Sequence, residues 1–349
     1  NDTDFVNSGY LQNIAWLKND SEDLYDPEYG DVIRVAGLVG FHRGRAAAIV
    51  SELSGRDPDT RKVDESRIPV AYDTLETALH QIVNKFNLEN FIMIIKSAGF
   101  IQPGMIGSKN ALNFAYALYL RLRADSSLAE GERKRIVRRW FVMSLLTGRH
   151  SGSFEGRWEQ DIRRITSQGA AAYLKQIEES ELSDSYWTVT LPADLETTST
   201  VSPYFQAFLA AQIATGARGF LSKSITVAAM HQQSGDIHHI VPKDYLQKNG
   251  YPDRGDYNQV GNYALTETSI NISISNKPPS VYMAEVEEQT KGGPLTLGEI
   301  TARDDLVRNL AENAIPGFVE QVTAGTYPEF LTARRKLMAS MIRDYYEAL

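Results

Sequence analysis

One stretch of this chain departs from helical periodicity, and it limits the possible folds more than any other feature. Between residues 236 and 265 short β-prone runs appear, Asp236-Ile-His-His and Asn262-Tyr-Ala-Leu. They are interrupted by Pro242 and by a segment at 249–256 rich in Asn, Gly, Asp and Pro. Almost everything else carries apolar residues at helical spacing. Leu75, Ala78, Leu79, Ile82, Val83 and Phe86 form one such stripe, predicting a helix over 74–86. Further helices are expected over 5–17, 31–53, 87–98, 111–122, 132–146 and 169–179. Ser153 is the expected N-cap of another that runs to about residue 165. No fixed-period repeat is present. The chain is therefore expected to be mainly α, an irregular helical domain followed by a small two-stranded module embedded in helices.

The character changes over 183–202, where Asp-Leu-Glu-Thr-Thr-Ser-Thr-Val-Ser-Pro is polar, β-branched and loop-like. This predicts one domain over 1–195 and a second over 196–349, enough length for two cores. A short helix is expected at 203–213. After Pro278-Pro279 helix returns to the end of the chain, broken near Gly292-Gly293-Pro294 and near Tyr327-Pro328. There is no cysteine, which excludes disulfides, thiolate zinc sites and cysteine nucleophiles. No apolar run approaches the roughly 20 residues of a membrane span, so no membrane partner is expected. The first residues are too polar for a signal peptide, and a cytoplasmic location is the default expectation.

The chemistry is concentrated in Asp236-Ile-His-His-Ile-Val-Pro-Lys. Adjacent histidines on a strand point to opposite faces, so His238 and His239 can serve different purposes. A neutral imidazole and a divalent metal are what phosphodiester hydrolysis at neutral pH requires. Asn262, Asn271 and the Asn276-Lys277 pair follow downstream. A carboxamide oxygen suits Mg²⁺ as a hard ligand. Lys277 could balance charge on the phosphoryl oxygens.

Taken together, Asp236-Ile-His-His-Ile-Val-Pro-Lys, Asn262-Tyr-Ala-Leu and Asn271-Ile-Ser-Ile-Ser-Asn-Lys-Pro-Pro-Ser resemble the HNH module of GmrSD-type restriction enzymes and their phosphorothioate-sensing relatives of the SspE kind. Arg139-Trp-Phe, Leu146-Thr-Gly-Arg-His-Ser-Gly-Ser, Asp161-Ile-Arg-Arg-Ile and Arg218-Gly-Phe-Leu-Ser extend the resemblance over about residues 105–285. It implies a ββα-metal (HNH) nuclease domain in which His239 is the general base, His238 a metal ligand and Asn262 the residue that steadies the base loop. Asn271 matches the helix-borne ligand. The closing His of the motif is absent, which leaves the second ligand open between Asn271 and Asn276. The cofactor implied is Mg²⁺ or Mn²⁺, and the implied role is DNA nicking in bacterial anti-phage restriction. Relatives begin with a ParB-like NTPase sensor domain marked by Asp-Gly-Gln-Gln-Arg. That string and any Gly-x-x-x-x-Gly-Lys loop are missing, so the chain reads as the effector half of such a protein. The alternative is a non-catalytic DNA- or partner-binding module with a degenerate HNH fold.

A net charge of −8 argues against indiscriminate coating of DNA, but charge acts locally. Residues 121–140 are rich in Arg and Lys, and Arg334, Arg335, Lys336 and Arg343 form a second cluster. For a double-stranded DNA partner, the phosphate contacts expected are Arg135, Arg139, Arg149 and Arg218. The competing reading is a solvated helix face. His150 is a candidate phosphate contact or helix cap, and Trp158 beside Arg157 is an aromatic that could touch DNA. His42, His80 and His231 read as ordinary surface or half-buried residues.

Overall fold

The computed structural model describes residues 24–233 and 236–349, which divide into two compact units between Ser183 and Asp184. The helix expected over 5–17 lies outside the described residues. Among the described residues the fold is mainly helical, and the two short strands make one antiparallel sheet. No described helix is long and apolar enough to cross a membrane.

The first unit contains α1 (Tyr29–Ala36), a π-helical turn (Gly37–Phe41), α2 (Ala46–Leu53), α3 (Ile68–Ile82), α4 (Lys85–Ser97), α5 (Lys109–Ala124), α6 (Glu130–Leu146), α7 (Phe154–Gln168) and α8 (Ala170–Glu181). Every residue of α5 from Ala111 to Leu120 is buried, because all but Asn113 are apolar or aromatic and Asn113 is hydrogen-bonded to Tyr25 and Asp31. Ser108 caps it, accepting from Ala111 N at 3.2 Å. The stripe predicted over 74–86 is divided between α3 and α4. Asn84 accepts from the Asn87 N–H at 3.1 Å and starts a new helix there. Ser153 does precede α7, but its side chain makes no capping bond.

The ends of α6, α7 and α8 are joined through one carboxylate. Asp161, fully buried, accepts from Arg149 Nε at 2.9 Å, Arg149 Nη2 at 2.6 Å and Tyr173 Oη at 3.0 Å. His150 Nε2 lies 3.1 Å from it, and Arg149 Nη1 also reaches Glu181 at 2.6 Å. Burial tends to raise the Asp161 pKa, but bonds from His150 and Arg149 outweigh it and hold the carboxyl below its ordinary value. Burial lowers His150 despite that neighbour. This network corrects two expectations: Arg149 cannot reach phosphate from inside the core, and His150 is a core residue. Trp158 is also fully buried, tilted against Phe114 and edge-on to Phe154, so it does not face DNA.

The second unit contains a π-helical turn (Tyr186–Thr190), α9 (Leu191–Asp194), α10 (Pro203–Ala214), α11 (Val227–Gln232), β1 (Asp236–His239), α12 (Lys243–Lys248), α13 (Arg254–Tyr257), β2 (Tyr263–Thr266), α14 (Thr268–Ile274), α15 (Pro279–Thr290), α16 (Arg303–Glu312) and α17 (Tyr327–Ala348). The segment up to residue 195, which the sequence groups with the first domain, packs through α9 and its preceding turn onto α17. Tyr327-Pro328 begins α17, since Pro is tolerated in a first helical turn. Strands β1 and β2 pair with Asp236 opposite Thr266, Ile237 opposite Leu265, His238 opposite Ala264 and His239 opposite Tyr263. The core beneath the hairpin includes Phe220, Ile240, Val241, Ile270, Tyr282 and Phe330.

Candidate active site

A segment at 218–222 runs along the free side of β2. Phe220 N donates to Leu265 O at 2.7 Å, and Thr266 Oγ1 donates to Phe220 O at 2.7 Å. The approach is close: a Cβ on Gly219 would stand 3.0 Å from Leu265 O. Asn309 on α16 secures the same segment, accepting from Leu221 N at 2.8 Å and donating to Gly219 O at 2.8 Å. Leu221 is held there in the left-handed region, at φ 57°.

Phe220 lies parallel to the ring of His238, with centroids 6.0 Å apart. His238 is 3% exposed, and its Nδ1 lies 2.7 Å from Asn271 Oδ1 on α14. An amide oxygen only accepts, so Nδ1 carries the proton and the unshared pair resides on Nε2. Nε2 is buried without a hydrogen-bond partner. Burial pushes the His238 pKa down to about 4, against the opposing effect of the Asn271 bond, so the ring is neutral at pH 7.

His239 lies on the opposite face of the strand, half-buried between Tyr257 and Tyr263. Its Nε2 lies 2.9 Å from Asn258 Oδ1. Burial lowers its pKa, with Asn258 opposing and Lys243 adding to the effect. Lys243 places its ammonium 5.5 Å from the centre of the Tyr257 ring. Neither Asn258 nor Lys243 figured as a site residue in the sequence. Only the folding of the connection between the strands brings Asn258 to His239.

Asn262 is fully buried and fastens the turn after β1. Its Oδ1 accepts from Val241 N at 2.9 Å, and its Nδ2 donates to Val241 O at 3.0 Å and Tyr257 O at 3.2 Å. The residue before it, Gly261, accepts from Arg334 Nη1 on α17 at 2.9 Å. Arg334 is buried and its pKa falls to about 9, chiefly through burial. The sequence places it in a basic cluster expected either to contact phosphate or to form a solvated face, and burial corrects both: its guanidinium donates to backbone carbonyls. Arg335 likewise pairs with Glu196 and Gln259.

The other expected residues lie elsewhere. Asn271, not Asn276, stands beside His238. Ser275 adopts φ 52° and ends α14, leaving Asn276 exposed. Lys277 Nζ pairs with Glu285 at 2.8 Å, so its charge is already balanced. Arg218 forms a two-pronged pair with Glu312, at 3.0 Å through both Nε and Nη2. Arg139 pairs with Glu178 at 2.9 Å. These two are structural ion pairs where free phosphate ligands were expected. Arg135 is exposed.

Among the described residues no three His, Cys, Asp or Glu side chains gather to hold a metal ion. Asn271 Oδ1 lies at Nδ1 of His238 while the unshared pair is on Nε2, across the ring, so one divalent cation could take both side chains only if their hydrogen bond opened and the ring carried its proton on Nε2. With that change Nδ1 and the carboxamide oxygen would be neutral donors to a hard ion. Compared with protein-family models, with curated proteins and with solved structures, the chain finds no match in any of the three.

Proposed function

We propose that the second unit is a metal-dependent DNA endonuclease of the HNH kind that nicks one strand. The observation that carries this reading is the convergence of His238 Nδ1 and Asn271 Oδ1 to 2.7 Å, next in sequence to His239. The convergence sits on a hairpin whose exit Asn262 locks. Two strands followed by α14 give the order that the ββα-metal resemblance calls for. His238 and Asn271 would hold Mg²⁺ or Mn²⁺, which when bound offsets charge on the phosphoryl group and acidifies water.

The residues of the chain supply the remainder. Asn258 Oδ1 accepts a hydrogen bond from Nε2–H of His239, which leaves the unshared pair on Nδ1, the atom to receive a proton from the attacking water. Lowered basicity keeps that ring neutral near pH 7. Lys243 is a cation near His239 and would take the charge-balancing role for which Lys277 was the sequence candidate. The DNA partner and a separate ParB-like sensor belong to the same proposal, following the resemblance.

A second reading, a non-catalytic binding module, draws on the engagement of His239 Nε2 by Asn258 and of Lys277 by Glu285. Supercoiled plasmid incubated with the chain and Mg²⁺ or Mn²⁺, against an EDTA control, separates the two. Conversion to open circle that is lost in His239→Ala supports the nuclease. Binding without conversion under any metal sinks it.

A further inference from the structure

We propose that a concave site formed by α4, α5 and α6 of the first unit seats one unpaired nucleotide of a DNA strand, its base on Phe86 and its phosphate at Arg123 and Arg133. The site has a volume of about 190 Å³ and is lined by Phe86, Asn90, Tyr119, Arg123, Arg133 and Lys134, with Glu130 at its edge. Pockets that enclose a whole small molecule run to about 300–1,000 Å³. This one suits a single planar group of a longer ligand whose remainder stays outside.

The chemistry of the lining is that of single-strand recognition, an aromatic platform within a cationic rim. Phe86 is 59% exposed although it stands in the first turn of a packed helix. The Arg123 guanidinium lies over the Phe86 ring, 5.4 Å from its centre, so one face of the platform already carries a cation and a base would use the other. Arg133 Nη1 donates to the backbone carbonyl of Arg123 at 3.0 Å, which fixes the second guanidinium at the end of α5. Glu130 is occupied by Lys134 at 2.5 Å. Among the described residues no carboxylate comes within ion-pair distance of Arg123 or Arg133, in contrast to Arg139, Arg149 and Arg218. Asn90 spends its Nδ2 on Phe86 O at 2.7 Å, which leaves its carbonyl oxygen to accept from a base.

The basic run that the sequence marks over 121–140 thus has a specific outlet at Arg123 and Arg133, members of that run other than Arg135 and Arg139. The choice of DNA over RNA rests on the nuclease reading. The seat itself does not.

The test measures anisotropy of a fluorescein-labelled oligothymidylate of about 12 nucleotides, the scale of a single-strand site. It uses the full chain in EDTA, so that no cleavage intervenes. Phe86→Ala is expected to raise Kd about 5- to 100-fold, as loss of one stacked base does, and Phe86→Trp to restore it. Arg123→Ala is expected to flatten the salt dependence by about 0.7, one single-strand phosphate contact. An unchanged Kd in Phe86→Ala, with or without an Arg123 effect, overturns the base seat in favour of a solvated basic face. Displacement by equimolar thymidine monophosphate overturns the strand in favour of a free nucleotide. Tighter binding of oligouridylate overturns DNA. Plasmid nicking is followed on the same preparations. A chain that binds in this way but never nicks refutes the nuclease and leaves the seat standing.

Discussion

The carboxamide of Asn262 closes on both backbone polar atoms of Val241, accepting from its N–H at 2.9 Å and donating to its carbonyl at 3.0 Å. An amide side chain thereby does what a neighbouring strand would do, where Pro242 forbids one. Asn262→Ala leaves three buried backbone groups unsatisfied. The expected loss is about 2–4 kcal/mol, read as a lower urea midpoint for the second unit, together with loss of nicking. A variant as stable as the parent would show that the turn holds without its clamp.

His239→Ala is expected to reduce nicking about 10²–10⁴-fold, the usual worth of a general base, with little change in the unfolding midpoint. His239 is only half-buried and gives up one side-chain bond, to Asn258. Single-turnover nicking at saturating metal is the measurement. A parental rate removes His239 from the chemistry.

His238→Ala and Asn271→Ala are expected to shift the metal dependence. Each removes one of the two side chains that would hold the ion. Half-maximal activity should require more metal, with partial rescue by Mn²⁺, which accepts nitrogen ligands more readily than Mg²⁺. A uniform drop at every metal concentration would count against ligation.

Arg334→Met tests a cation that acts through backbone alone. It removes the donors to Gly261 O at 2.9 Å and Asn313 O at 3.2 Å. Unsatisfied buried carbonyls outweigh the relief of discharging the site, so a loss of about 2–4 kcal/mol is expected. Nicking is expected to fall as well, because Gly261 precedes Asn262. Arg334→Met at parental stability would mean that the buried charge costs as much as its bonds return.

Acid is expected to weaken the first unit through His150 and Asp161. Both have folded pKa values below their unfolded ones, so the unfolded chain binds more protons as pH falls. Stability is complete above the unfolded His value of about 6.5 and declines as pH drops below it, with Asp161 adding its share below about 4. His150→Phe, which keeps the packing on Phe114, should flatten the decline in melting temperature between pH 7 and 5. Identical slopes in parent and variant would assign the acid sensitivity elsewhere.

The sequence by itself determined the helical class and the position of the one hairpin. Both follow from spacing along the chain, 3.6 against 2, which neighbouring residues impose whatever surrounds them. It also marked His238, His239, Asn262 and Asn271, because residue type and order within a short hairpin restrict what can come together. Tertiary structure alone decided which cations remain available. Arg123, Arg139, Arg149, Arg218 and Arg334 read alike as letters, yet Arg218 meets Glu312 from 94 positions away and Arg334 meets Gly261 from 73. It also decided that Asn271 and not Asn276 faces His238, since one left-handed residue, Ser275, ends the helix between them. Burial and pairing are properties of the packed chain. A charge is worth little on an exposed face and a great deal when water is excluded, and no local pattern records where water is excluded.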